Sequence, residues 1–182
     1  GLNVARIAVL LAGLPKSVGG ITVNRFCASG LSAVAMAADR IRLGEAEVMI
    51  AAGVESMSMV PMMGNKVAMN PALFTRDENI AIAFGMGITA EKVAERWKIS
   101  REAPDAFALQ SHQRAMQAIT CGDFKDEISA FQIAEQLPDL HSREIRENSR
   151  LAAQDEGPRA DTSLEALAKL RAVFAQKGSV TA

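Results

Sequence analysis

Apolar and polar positions divide the chain into two regimes. From residue 1 to about 58, Ala, Val, Gly and Ile dominate and charges are few. Val4 to Leu11 is apolar apart from Arg6, and Gly13 and Pro15 close it, which predicts a short helix. Gly19 and Gly20 turn the chain into Ile21-Thr22-Val23-Asn24-Arg25-Phe26, whose β-branched start predicts a strand over 21–26. Leu31, Val34, Ala35, Ala38 and Ile41 recur at helical spacing and predict a helix from Ala28 to Leu43. Arg40 and Arg42 suit its C-terminal dipole, and Gly44 stops it. Glu47 to Ala52 reads as a buried strand. Helix, strand, helix, strand with so little polar surface predicts an α/β layer, a sheet covered by helices.

From about residue 59 the pattern becomes more polar and more helical. Five of the nine methionines fall between Met57 and Met69, among prolines and glycines. They fit either an adaptable apolar surface or, more ordinarily, gap-filling under a loop. A helix is expected over 89–98, with Thr89 as its N-cap and Glu91 in its first turn. Ser100 is placed to cap a longer helix ending near Gly122, with Phe107, Ala108, Ser111, Ala115 and Ile119 on one face. Residues 135–161 carry many charges, Pro138 and Pro158, and no clear period, so they read as loop. The mixed-sign run from Arg143 to Arg150 reads as a solvated face. Thr162 to Glu165 has the form of a capping box, opening a last helix that buries Leu164, Leu167, Leu170 and Phe174.

Composition narrows the function classes. Apolar residues at 49% suffice for a packed globular core. Twenty basic residues against 21 acidic ones give a formal charge of −1, so bulk electrostatics predicts neither nucleic-acid nor membrane binding. The two cysteines stand in unrelated contexts and form neither a disulfide framework nor a zinc spacing. No apolar run is long enough for a bilayer-spanning helix, and no secretory signal is visible. A cytoplasmic location is expected, with organelle targeting left open.

Cys27 is the residue with the clearest chemical promise. It stands where the predicted strand meets the predicted small-residue helix, near unpaired N–H groups that favour negative charge. That position raises a thiol's thiolate fraction, and the same N–H groups could hold an oxyanion. The alternative is a buried small hydrophobe, the commonest fate of a free cysteine. Cys121 precedes Gly122 at the expected end of a helix, where the dipole opposes a thiolate, and reads as structural. His112 and His141 read as ordinary surface or packing histidines.

Asn24-Arg25-Phe26-Cys27-Ala28-Ser29-Gly30-Leu31 resembles the nucleophile segment of the thiolases, the acetyl-CoA acyltransferase family. Gly1 to Arg6 resembles the helix before that strand, and Ala51 to Ser58 the strand after the nucleophile helix. Met86 to Glu91 and Ile99-Ser100-Arg101 resemble the start of the family's loop domain. Thr162 to Arg171 and Gly178 to Ala182 resemble its end. Several ordered motifs over the full length are far more specific than any one.

The resemblance implies residues 1–58 as part of the first core domain, 59–178 as a mainly helical, CoA-binding loop domain, and 179–182 as re-entry into the core. It also implies an N-terminal-half fragment, since the family's catalytic histidine and second catalytic cysteine would lie beyond residue 182. In that family the nucleophilic cysteine attacks a 3-ketoacyl-CoA or acetyl-CoA and holds the acyl group as a thioester. The acyl group then passes to coenzyme A or to an acetyl-CoA carbanion. Carried onto this chain, Cys27 is the nucleophile and its N–H helps form an oxyanion hole. Arg159 stands where the family commonly sets an arginine against the adenine moiety. Met86 and Phe174 stand where its residues line the pantetheine channel. No permanently bound cofactor or metal is implied. Coenzyme A and acyl-CoA are substrates, and a homodimer or homotetramer is expected of the complete enzyme.

Two departures separate the chain from the short-chain biosynthetic subgroup. Gly85 replaces a histidine, and Ala166 replaces a serine of the last loop-domain helix. Both point to broad-range degradative 3-ketoacyl-CoA thiolases. Two other classes compete. One is a catalytically idle, thiolase-like lipid-binding protein or fragment. The other is a cysteine–histidine hydrolase, for which His112 and His141 are poorly placed.

Overall fold

The structure is a computed structural model that describes residues 2–62 and 64–181. Gly1, Met63 and Ala182, which belong to the family-like opening, the methionine-rich stretch and the re-entry segment, lie outside the described residues. The chain divides into two compact units, Gly1–Met69 and Asn70–Ala182.

In the first unit, helix α1 covers Val4–Leu11, as the apolar run predicts. Asn3 caps it, its side-chain oxygen accepting from the Arg6 N–H at 3.2 Å. Gly13 takes φ 73°, the left-handed conformation that ends such a helix cheaply. The start of α1 is also tied to the segment that leads to Cys27. Asn3 Nδ2 donates to the Gly20 carbonyl at 2.6 Å, and the Ala5 N–H donates to Thr22 Oγ1 at 3.1 Å. Thr22 in turn donates to Asn3 Oδ1 at 2.7 Å. A Cβ at Gly20 would lie closer than 3.0 Å to the backbone of Arg6, so only glycine fits this approach. Arg6 completes the tie by donating to the carbonyls of Lys16 and Val18.

Helix α2 covers Ser29–Arg42, with Arg40 and Arg42 in its last turn and Gly44 at φ 71° beyond it. The strands expected over 21–26 and 47–52 carry no ladder; the sheet among the described residues is a two-stranded one elsewhere. A strand exists only where a neighbour accepts its N–H groups and donates to its carbonyls, and propensity alone cannot supply that neighbour. The expected apolar faces are likewise uncovered. Among the described residues no hydrophobic side chain is buried, and Leu31 on α2 is 76% exposed.

The second unit opens with two 3-10 turns, Pro71–Phe74 and Asp77–Ala83. Helix α3 covers Met86–Trp97, starting a turn earlier than expected. Thr89 is not its cap: its hydroxyl donates to the Gly85 carbonyl at 3.2 Å, and extended Gly85 is the half-in residue. Helix α4 covers Glu102–Cys121 and ends at Gly122 with φ 78°. Its half-in residue is Arg101 rather than Ser100, whose hydroxyl bonds the Glu102 carboxylate and holds that carboxyl below its ordinary range.

Residues 135–161 are not one loop. Strand β1, Phe131–Asp139, pairs antiparallel with strand β2, Glu144–Ala152, from Phe131 opposite Ala152 to Asp139 opposite Glu144. The turn needs no glycine. Asp139 Oδ1 accepts from the N–H groups of His141 at 2.9 Å and Ser142 at 3.3 Å, and Arg143 takes φ 58°. Those N–H donors and Arg146, 2.7 Å away, hold the Asp139 carboxyl below its ordinary range. Gln136 bonds Glu147 across the pair at 2.9 Å.

Helix α5 covers only Leu164–Ala168. Its N-cap is Ser163, accepting from Ala166 N–H at 3.1 Å, one residue later than the expected box. Leu164, Leu170 and Phe174 are not buried. Arg101 joins α4 to α5: it donates to the carbonyls of Leu167 at 2.5 Å and Leu170 at 3.1 Å while pairing with Asp105 at 2.9 Å. The guanidinium thus adds a second donor to the Leu167 carbonyl, which already accepts the Leu170 N–H at 3.0 Å, and reaches the Leu170 carbonyl where the short helix ends.

Candidate functional site

Cys27 stands on a sharp turn just ahead of α2, with Ala28 as the half-in residue between thiol and helix. The turn depends on Phe26, which takes φ 49°, a conformation costly for a bulky residue. Ser29 holds it there. Its Oγ accepts the Arg25 N–H at 2.8 Å and donates to the Phe26 carbonyl at 2.6 Å. Asn24 adds a third brace, its Oδ1 accepting the Phe26 N–H at 3.0 Å. The Ala28 and Ser29 N–H groups close onto the carbonyls of Arg25 and Phe26 at 3.1 and 3.0 Å. The Cys27 N–H has no acceptor among the described residues. The thiol is free and exposed. The sequence located the helix start; the braced φ > 0 residue and the role of Ser29 were not visible in it.

Cys121 is also free and exposed, but it closes α4, at the end where carbonyls rather than N–H groups are unpaired. The two thiols therefore differ in which end of a helix they adjoin, and both are exposed.

Arg159, Met86 and Phe174 all lie in the second unit. Met86 is the first residue of α3 and is exposed. The Phe174 ring lies against Gly87, the next residue, so closely that a Cβ there would fall within 3.0 Å of three ring carbons. The structure thus brings Phe174 to the start of α3. Arg159 has partners of its own. Its guanidinium forms a two-pronged pair with Asp161, Nε to Oδ1 at 3.1 Å and Nη2 to Oδ2 at 3.0 Å. The pair raises the arginine's pKa and lowers the aspartate's. The Arg159 N–H donates to His112 Nδ1 on α4 at 3.1 Å. His112, read from sequence as a surface or packing histidine, thus fastens the arginine's backbone.

Glu91, expected in the first turn of its helix, lies further along α3 and has a long-range role instead. Its carboxylate accepts from the N–H groups of Ser179 at 3.0 Å and Val180 at 2.9 Å, with the Ser179 hydroxyl at 3.5 Å. Those backbone donors hold the carboxyl below its ordinary range. The partners lie 88 and 89 residues downstream, so no local pattern could have exposed the contact. Among the described residues no three His, Cys, Asp or Glu side chains are grouped as metal ligands would be, and no helix is long and apolar enough to cross a membrane.

The family described as thiolase, N-terminal domain, matches residues 1–182. The chain belongs to the thiolase family. It is 45% identical over 183 residues to a 3-ketoacyl-CoA thiolase of Bacillus subtilis, covering 100% of this chain and 46% of that protein. Its structure is similar to the acetyl-CoA acetyltransferase of Bacillus anthracis, with a TM-score of 0.78 and 37% identity over 99% of this chain and 45% of the other. It is equally similar to the dimeric peroxisomal thiolase of Saccharomyces cerevisiae, with a TM-score of 0.78 and 35% identity over 97% of this chain and 42% of the other. The fold is accordingly a partial thiolase-type α/β fold, and the chain spans about half the length of the curated relatives it matches.

Proposed function

We propose that this chain carries the nucleophile and much of the coenzyme A surface of an acyl-CoA:acetyl-CoA C-acyltransferase. The observation that carries the reading is the Cys27 turn, an exposed thiol on a braced bend with a free N–H beside it. In the thiolytic direction the Cys27 thiolate attacks the C3 carbonyl of a 3-ketoacyl-CoA. An S–C bond forms and the C2–C3 bond breaks. The electron pair stays on the acetyl-CoA fragment, which takes up a proton and leaves. The thiol of a second coenzyme A, deprotonated by a base, then attacks the acyl-cysteine carbonyl, and Cys27 Sγ leaves as thiolate. The Claisen condensation is the same path reversed. The base and the second thiol are assigned to the part of the enzyme beyond this chain, so residues 1–182 alone are expected to turn over no substrate.

In the second unit, Met86 and Phe174 are assigned to the pantetheine channel and Arg159 to the adenine end. What supports the first pair is the contact of Phe174 with the start of α3. What supports Arg159 is its pairing with Asp161, which uses the edge of the guanidinium and leaves its faces open for stacking. The residue division 1–58, 59–178 and 179–182 stays part of this reading. So do a homodimer or homotetramer as the assembled form, acyl-CoA and CoA as the small-molecule partners with neither nucleic acid nor membrane, and a cytoplasmic location with organelle targeting left open.

The test is to trap the intermediate. The complete enzyme exposed to an acyl-CoA, quenched in acid and mapped by mass spectrometry, is expected to carry one acyl group on the peptide containing Cys27. The Cys27→Ala enzyme should carry none. An acyl group retained in that variant, or found on Cys121, would defeat the assignment.

A further inference from the structure

Residues 173–180 form a loop closed on itself. The Val173 N–H donates to the Val180 carbonyl at 3.3 Å, and the Gly178 N–H donates to Ala175 at 3.1 Å. One arm carries Phe174, whose ring lies against Gly87. The other arm carries Ser179 and Val180, whose N–H groups are both taken by Glu91. Gly87 and Glu91 are four residues apart on α3 and so share one helical face. Helix α3 therefore grips the loop at two points, one on each arm. At the second point a Cβ on Gly178 would lie closer than 3.0 Å to the Glu91 carboxylate, so a side chain there would displace that carboxylate. A carboxylate that fills both oxygens with backbone donors is a fixed anchor, unlike an exposed helix glutamate in water.

We propose that Glu91 is a positioning residue for acyl-CoA: by holding Ser179 and Val180 it keeps the Val173–Val180 loop closed and so keeps Phe174 against the start of α3. The inference rests on the reading that Phe174 lines the pantetheine channel. Glu91 touches no substrate in this scheme. Its effect reaches the thioester arm through the loop, so it acts on substrate affinity and not on the chemistry at Cys27.

The experiment compares Glu91→Gln, Glu91→Ala, Phe174→Ala and the Glu91→Ala/Phe174→Ala double variant in the complete enzyme. KM and kcat for CoA and a 3-ketoacyl-CoA are measured, together with the rate of Cys27 alkylation by iodoacetamide. Glu91→Ala is expected to raise KM about ten-fold with kcat changed by less than about two-fold, and to leave the alkylation rate unchanged. Glu91→Gln keeps one oxygen acceptor and should fall between wild type and alanine. The double variant should be no worse than Phe174→Ala, because both changes release the same ring. A Phe174→Ala enzyme with unchanged KM would sink the channel reading itself. A raised KM in Phe174→Ala alongside an unchanged KM in both Glu91 variants would overturn the positioning role alone. Parallel losses of kcat, alkylation rate and thermal stability in Glu91→Gln would also overturn it, as the mark of a merely structural residue.

Discussion

Phe174 lies on the backbone of Gly87, at a distance that no other residue type at position 87 could leave undisturbed. Gly87→Ala is therefore expected to push the ring off α3. In the complete enzyme the variant should raise KM for CoA substrates while leaving Cys27 alkylation intact. Unchanged KM and unchanged melting temperature together would show that the ring moves freely and is no channel wall.

The two thiols should separate kinetically. Cys27 precedes α2, where N–H groups are unpaired, and Cys121 ends α4, where carbonyls are. With limiting iodoacetamide near neutral pH, peptide mapping of the complete enzyme is expected to find Cys27 labelled well before Cys121. Equal labelling would remove the electrostatic argument for a nucleophile at this turn.

Arg159→Ala should weaken binding of CoA substrates by roughly three- to ten-fold, the range of one lost guanidinium stack. Asp161→Asn should give a smaller loss of the same sign, because the guanidinium keeps its charge but loses the partner that fixes its plane. Dissociation constants for CoA from calorimetry decide this. An Arg159→Ala protein that binds CoA as tightly as wild type would return the arginine to the solvated surface.

Acid should loosen the Val173–Val180 loop. Glu91 is held below its ordinary 4.5 by the Ser179 N–H first and the Val180 N–H next, with no charged side chain among the causes. Its folded form thus binds fewer protons than the unfolded chain. The resulting stability is complete above the ordinary carboxylate value and is lost as pH falls through the lowered one. Asp139, Asp161, Glu102 and Glu165 are shifted the same way, so the whole acid limb is a sum. Comparing Glu91→Gln with wild type isolates one contribution: the variant's stability should fall less steeply with acid. Parallel acid limbs would show that the carboxylate form is not what the loop requires.

Position 85 offers a test of acyl length. Gly85 has extended backbone dihedrals and no atom within 4 Å of a built Cβ, so a histidine fits there without strain. The wild-type enzyme is expected to favour medium or longer 3-ketoacyl-CoAs over acetoacetyl-CoA, each buried methylene adding about 0.8 kcal/mol. Gly85→His should move kcat/KM back toward acetoacetyl-CoA. A four-carbon optimum in wild type, unmoved by the substitution, would count against degradative use.

Local features of the chain were legible where one stretch of sequence contains both partners of an interaction. The apolar run of α1, the stop at Gly122 and the helix behind Cys27 are of this kind. The hairpin was hidden because its strands alternate poorly and its turn uses Asp139 and left-handed Arg143 instead of Asn-Gly. The strands expected near Cys27 and after α2 show the opposite error: the residues are right for strands, but pairing is a property of neighbours. Cys27, Met86 and Phe174 came from motif resemblance. The roles of Glu91, Ser29 and His112 did not, although Ser29 and Glu91 stand inside the quoted motifs, because their work is to hold other backbone, and which backbone they hold is not written in side-chain identity.

The bend at Phe26 has a consequence for how this segment can change over generations. A phenylalanine at φ 49° is tolerable only while Ser29 and Asn24 clamp the amides around it. The three positions are therefore not independent letters. Loss of the serine alone would let the bend relax and swing the thiol away from its helix, although the thiol itself is untouched. Glycine at position 26 would remove the tension and with it the need for the clamp. Mutations here should consequently be tolerated in particular orders, position 26 before position 29, and a survey of single substitutions would misjudge which pairs survive.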